Sequence, residues 1–233
     1  MFAEQYPRNS QGWIQFPMLD KERDTLLPES MHHPARHSFA VYRSIIEYVS
    51  EPMDTVMDIM AGTGTILIAA TMGRKVICIE LEEEYQALHQ LLLSRLEAQD
   101  IQPSGLSRMA TLLQGDCRDF LPLPVNHIIF SPPYATAMTV KKNPRTDANK
   151  LLAGGKVFAD GSIDGEAQYD FTKYCKSKNN ISLLNPFYYN HVMEKIYQLC
   201  YQSLLPKGTL TVLLKDSISN GKRVELTDWM VRT

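Results

Sequence analysis

Four short apolar runs, each ending on a different polar or glycine-rich motif, constrain this chain more than any other feature. Thr55-Val-Met-Asp-Ile-Met60 runs into Gly62-Thr-Gly64, and Lys75-Val-Ile-Cys-Ile79 runs into Glu80. Ala110-Thr-Leu-Leu-Gln114 leads to Gly115-Asp116-Cys117, and His127-Ile-Ile-Phe130 to Ser131-Pro-Pro-Tyr134. Runs this short and this apolar suit strands buried on both faces. Helical patterns alternate with them. Apolar residues at 39, 42, 45, 46 and 49 follow Ser38, a suitable N-cap. Ile66–Met72 reads as a helix ended by Gly73, and about Glu82 to Ala98 as a long amphipathic one. A further helix from about Phe187 to Leu204 turns at Lys207-Gly208 into a fifth strand, Thr209–Lys215. Strands alternating with helices predict an α/β fold, a mostly parallel sheet with helices on both faces. In such sheets ligands sit outside the carboxyl ends of the strands, where all four motifs fall.

Composition removes several function classes. A chain of 233 residues fits one domain, here 1–233, and its 44% apolar content is that of a globular protein. No apolar stretch is long enough to span a membrane, and the mixed polar start MFAEQYPRNSQGW is unlike a secretory signal, so a cytoplasmic location is expected. Cys78, Cys117, Cys175 and Cys200 form no C-x-x-C pair, and no cysteine lies near His32, His33 and His37 in sequence. They read as free thiols, and no metal site is expected. Net charge is −2, but Lys141 to Lys178 holds eight basic residues against five acidic ones. That local excess suits a polyanion.

Two stretches lack periodicity. Residues 1–37 are expected to be an irregular segment wrapping the surface. Residues 135–185 are expected to be a long loop or insert of the length that serves as a lid or a contact surface. Lys141, Lys142, Arg145 and Lys150 are its candidates for touching nucleic acid, although charged loop residues are commonly only solvated.

Each strand-end motif has a plain reading beside a functional one. Gly62-Thr-Gly64 can be a tight turn, or a loop that lets a ligand approach the backbone beneath a helix N-terminus. The dinucleotide fingerprint fails, because Leu67 stands where a third glycine belongs. Asp58 at the strand tip suits a cationic ligand group better than a pyrophosphate. Glu80 can favour the helix dipole, as Glu82, Glu83 and Glu84 do, or can accept both hydroxyls of a ribose. Asp116 can cap a strand end, or accept the exocyclic amine of an adenine. Ser131-Pro-Pro-Tyr134 alone would be a rigid turn. As the fourth motif of the series it offers a hydroxyl, a proline carbonyl and an aromatic face.

Together these residues resemble a known family. Asp58-Ile-Met-Ala-Gly-Thr-Gly-Thr65 is similar to the cofactor motif of S-adenosylmethionine-dependent amino-methyltransferases acting on DNA, and Ser131-Pro-Pro-Tyr134 resembles their catalytic motif. His33-Pro-Ala-Arg-His-Ser38 resembles a third motif, which wraps the methionine part of the cofactor. The likeness covers about residues 31 to 220, in the order wrap, cofactor and catalytic motif. It implies a Rossmann-like methyltransferase sandwich with S-adenosyl-L-methionine as cofactor. Cofactor contacts are implied at His33, Pro34, Ala35, Arg36 and Ser38, and along Asp58, Met60, Ala61, Gly62, Thr63, Gly64 and Thr65. Glu80 and Leu81 fall at the ribose, and Asp116 and Cys117 at the adenine. Ser131, Pro132, Pro133 and Tyr134 would be catalytic. The seven-stranded sheet of the family ends in an antiparallel hairpin, whereas Thr233 closely follows the fifth strand. A truncated chain or a missing hairpin is therefore expected.

The implied reaction is methyl transfer to an exocyclic amine of a flipped base in DNA, as in DNA methylation. Serine at the first catalytic position favours N4 of cytosine; members with Asp or Asn there mostly act on N6 of adenine. An RNA base and a non-catalytic nucleic-acid-binding protein of the same fold are the alternatives. Accepting both amine hydrogens at Ser131 and Pro132 would pull the nitrogen toward a tetrahedral, more nucleophilic form. Flipping costs a few kcal/mol, and stacking on Tyr134, worth roughly 1–3 kcal/mol, offsets part of it.

Overall fold

The structure, a computed structural model, describes residues 2–17, 20–32, 36–99, 105–133, 156–157, 163–164, 177–214, 217–219 and 222–224. Its centre is a five-stranded sheet of β1 (Thr55–Asp58), β2 (Lys75–Glu80), β3 (Ala110–Gln114), β4 (Val125–Phe130) and β7 (Leu204–Val212). Their order is β3-β2-β1-β4-β7, and every neighbouring pair is parallel. The chain winds outward from β1 to β3, then crosses to the other side of β1 for β4. That reversal opens a crevice between the carboxyl ends of β1 and β4.

Alternate residues of each strand feed two separate cores, as a sheet covered on both faces requires. Val56, Val76, Cys78 and Ile129 face one side, against α2 (Phe39–Val49), α3 (Ile68–Thr71) and α4 (Glu83–Gln99). Met57, Ile79, Ile128 and Phe130 face the other, against α6 (Cys117–Phe120) and Met193, Ile196 and Cys200 of α7 (Pro186–Ser203). Local chemistry sets the helix ends. Ser38 accepts from the Ala40 N–H at 3.1 Å to start α2, and Asn185 from the Tyr188 N–H at 3.1 Å to start α7, with Pro186 in its first turn. A short helix, α5 (Leu106–Met109), precedes β3.

Several expectations need correction. Residues 1–37 are not merely irregular. They contain α1 (Lys21–Leu26) and a 3-10 helix (Pro28–His32), and Arg23 and Leu26 are buried. Asp20 organises this segment, because its carboxylate accepts from the N–H groups of Arg23 and Phe39 and so joins α1 to α2. The helix expected over Ile66–Met72 is a 3-10 turn (Thr65–Leu67) followed by α3. The fifth strand begins earlier than the sequence suggests, at Leu204, because Val125 pairs with Leu204 across a register shift.

Of the expected 135–185 loop, the described parts are an antiparallel pair, β5 (Lys156–Val157) with β6 (Ile163–Asp164), and residues 177–185. Lys141, Lys142, Arg145 and Lys150 lie outside the described residues. After the fifth strand the described residues include β8 (Ser217–Ser219) and β9 (Lys222–Val224). This antiparallel pair forms a sheet of its own, separate from the five strands. No helix among the described residues is long and apolar enough to cross a membrane. Cys78, Cys117 and Cys200 are buried free thiols.

Candidate active site

The loops leaving β1, β2 and β3 are sewn together at the carboxyl end of the sheet. Ala61 N–H donates to the Ile79 carbonyl at 3.0 Å, and Gly115 N–H to that of Glu80 at 2.8 Å. Glu80 is buried, and its carboxylate accepts from Gly62 N–H at 2.6 Å and from Glu82 N–H at 2.9 Å. A carboxylate has about four lone-pair positions, and those that the backbone N–H groups leave free can take a ligand's hydroxyls. Burial pushes its pKa up to about 7, against the pull of those N–H groups.

Asp58 is also buried, and burial with the nearby Glu80 charge raises it to about 7. Its carboxylate accepts from Met60 N–H at 2.9 Å and from the Tyr42 hydroxyl at 3.3 Å. Asp116 caps α6. Burial pulls its pKa upward, but hydrogen bonds from the Arg118 backbone and guanidinium outweigh that and hold it below the usual range. An amine reaching Asp116 would therefore share it with Arg118.

One pocket gathers residues from all four strand ends: Met60 and Gly62 after β1, Glu80 and Leu81 at the end of β2, Asp116 and Cys117 after β3, and Ser131 and Pro133 after β4. The structure thus brings eight of the sequence-predicted residues around one space. Asp58, Ala61, Thr63, Gly64, Thr65 and Pro132 belong to the same loops but do not line it. Arg36 pairs with Asp24, and Ser38 acts as the α2 cap. His33, Pro34, Ala35 and Tyr134 lie outside the described residues.

Sequence reasoning missed the opposite wall. Asn179, Asn180 and Ile181 reach the pocket from the segment before α7, together with Ile196 of α7. Glu82, read as a dipole-favoured acid, is buried beside them. Its carboxylate accepts from Ser177 N–H at 3.2 Å and Asn180 Nδ2 at 3.5 Å. No local pattern announces a contact between residues about a hundred positions apart.

Two buried side chains hold the glycine loop from outside the pocket. His89 of α4 donates through Nε2 to the Gly62 carbonyl at 2.8 Å, and burial lowers its pKa to about 4, leaving a neutral ring. Gly64 has φ +78°, and a Cβ there would stand 2.6 Å from His89 Cδ2. The sequence carries a signal for this residue. His89, Leu92, Leu93 and Leu96 share the apolar face of α4. Arg23 reaches the same loop from α1, donating from Nη1 to Thr65 Oγ1 at 2.6 Å and from Nη2 to Thr63 Oγ1.

Residues 4–90 match the family model of DNA methylases of the N6/N4 type. Over that stretch the chain is similar to DNA methylases of that type. The matched span takes in Arg23, the 33–38 motif, the glycine loop, Glu80 and His89, and stops before Asp116 and Ser131. The similarity thus covers the half of the site built by β1 and β2. No curated protein matches the chain in sequence. Solved structures that resemble it include a precorrin-8w decarboxylase from Methanobacterium thermoautotrophicum, 13% identical over 85% of this chain and 70% of that one, with a TM-score of 0.46. A glycopeptide N-methyltransferase complexed with S-adenosyl-L-methionine is 14% identical over 80% of this chain, with a TM-score of 0.41, and the chain spans 63% of its length. An RNA methyltransferase from Salinibacter ruber in complex with S-adenosyl-L-homocysteine is 17% identical over 52% of this chain and 67% of that one, with a TM-score of 0.35.

Proposed function

We propose that the protein transfers the methyl group of S-adenosyl-L-methionine to an exocyclic amine of a base flipped out of DNA, at N4 of cytosine. The observation that carries this reading is the shared pocket. Ser131 and Pro133 of the S-P-P-Y motif line the same space as Glu80 and Asp116.

The residues fit that cofactor. Glu80 keeps lone pairs for ribose hydroxyls, Asp116 faces the pocket as an acceptor for an amine, and Gly62 lines the pocket with no side chain of its own. The cofactor supplies an electrophilic methyl group on a sulfonium sulfur. The rest falls to the chain. Ser131 Oγ and the Pro132 carbonyl accept the two hydrogens of the target amine, drawing its lone pair out of conjugation and holding the nitrogen for attack. Proline helps because it lacks an N–H that would compete for the same acceptor. Tyr134 gives the extrahelical base a stacking face. Lys141, Lys142, Arg145 and Lys150 are the candidates for contacts to the phosphates, which position a duplex without reading its sequence.

Incubation with methyl-labelled cofactor and either duplex DNA, single-stranded DNA or RNA, followed by nucleoside analysis, tests this. N4-methylcytosine from duplex DNA is the expected product. N6-methyladenine would overturn the choice of base, and label confined to RNA the choice of nucleic acid. A protein that binds no cofactor in a calorimetric titration would overturn the reading as a whole.

A further inference from the structure

Arg23 is the most deeply buried cation among the described residues. It is 1% exposed and ranks among the largest fully buried side chains. Among the described residues no carboxylate lies within ion-pair distance of it. Its guanidinium donates instead to neutral oxygens: the His37 carbonyl, Thr63 Oγ1, Thr65 Oγ1 at 2.6 Å and, at 3.5 Å, Ser30 Oγ. The Phe39 ring lies 5.7 Å from its Cζ. A buried charge is costly unless its hydrogen-bonding capacity is filled, so this fork holds its surroundings tightly.

Those acceptors belong to two different parts of the site. His37 lies in the 33–38 segment, while Thr63 and Thr65 flank Gly64 in the loop after β1. Burial lowers the Arg23 pKa only to about 10, so the fork stays charged at neutral pH.

We infer that Arg23 is a positioning residue, which fixes His37 against Thr63 and Thr65 and so sets the loop after β1, whose Met60 and Gly62 line the pocket and hold the amino-acid end of the cofactor. This rests on the proposed cofactor. With adenine at Asp116 after β3 and ribose at Glu80 after β2, the next position along the sheet is the loop after β1. Arg23 itself does not line the pocket and acts through the oxygens it holds. A flexible lysine could not replace it, because one ammonium cannot span three acceptors on two segments in a fixed plane.

The test compares two probes by calorimetry: S-adenosylmethionine, and 5′-methylthioadenosine, which lacks the amino-acid part. Variants are Arg23→Met, Arg23→Lys, Thr63→Val and Thr65→Val. Removing the fork should weaken S-adenosylmethionine about tenfold or more while methylthioadenosine stays within about twofold, and Arg23→Lys should not rescue. Each threonine variant keeps the side-chain volume and should lose part of that factor in a folded protein, which keeps the test decisive if Arg23→Met does not fold. Wild-type protein that binds neither probe would overturn the cofactor reading itself. Wild-type binding with threonine variants unchanged, or with both probes weakened alike, would overturn the role of Arg23 and leave the cofactor standing.

Discussion

The Glu80 carboxylate closes on the Gly62 N–H at 2.6 Å, so the end of β2 and the loop after β1 form one unit. Glu80→Gln should disturb both stability and binding. Both carboxylate oxygens accept from backbone N–H groups, and an amide must turn its NH2 toward one of those donors. One unsatisfied buried N–H costs about 1–3 kcal/mol, which urea unfolding would register. Cofactor affinity should fall by about tenfold or more in a calorimetric titration, since the amide has one acceptor where the carboxylate has two. Unchanged affinity would remove Glu80 from the ribose position.

The raised pKa values of Glu80 and Asp58 make stability fall as pH rises. Both carboxyls titrate near 7 when folded, against ordinary values of 4.5 and 3.8. Below the ordinary value folded and unfolded chains are both protonated, and the contribution is present in full. Between that value and about 7 only the folded chain holds the proton, and the contribution drains away. For Glu80 the span corresponds to about 3 kcal/mol at 1.36 kcal/mol per pKa unit. Urea unfolding from about pH 5 to 8 should show the decline, and Glu80→Gln should remove its share. Hydroxyl donors favour the ionised carboxylate, so cofactor affinity should rise over the same range. Stability that is flat across it would contradict the buried, desolvated placement.

The sheet was legible because its strands carry their own signal. Val56 and Met57, or Ile128 and Ile129, are apolar on both faces, a pattern that only a covered sheet can bury. Met60, Gly62, Glu80, Leu81, Asp116, Cys117, Ser131 and Pro133 were legible for a related reason, since each lies at or just past the end of a strand that fixes its place. Arg23, Glu82 and Asn180 were not legible. Their roles depend on contacts across forty to a hundred residues, set by how α1 and the segment before α7 pack, and no local spacing encodes that. His89 lay between these cases, visible as a polar residue on an apolar helix face but without a partner until the loop was placed.

Gly64→Ala should be more damaging than an alanine in an ordinary loop. Its φ of +78° is strained for any side chain, and the new Cβ would meet the His89 ring at 2.6 Å. Moving that ring breaks its bond to the Gly62 carbonyl and displaces the loop. A loss of about 2 kcal/mol in stability is expected, with a larger proportional loss of cofactor affinity. The double variant Gly64→Ala/His89→Ala should recover only part of this, because the clash disappears while the backbone strain stays. Full recovery would make the steric contact the whole cause.

Ser131→Ala separates chemistry from binding. Ser131 sits after β4, on the far side of β1 from Glu80 and Asp116 in strand order, so the adenosine contacts should survive its loss. The target amine would keep one acceptor, the Pro132 carbonyl, and one of its hydrogens would go unpaired. Removing a single preorganised hydrogen-bonding group from a reacting centre typically costs about 10²–10³ in rate. The expected result is a fall in single-turnover methyl transfer of that order, with the cofactor dissociation constant within about twofold of wild type. Tyr134→Ala should also spare cofactor binding, but its defect should shrink on a substrate whose target cytosine is already mismatched, because less unstacking remains to be offset. A Ser131→Ala defect confined to cofactor affinity would place the hydroxyl with the cofactor and leave the amine without its proposed acceptor.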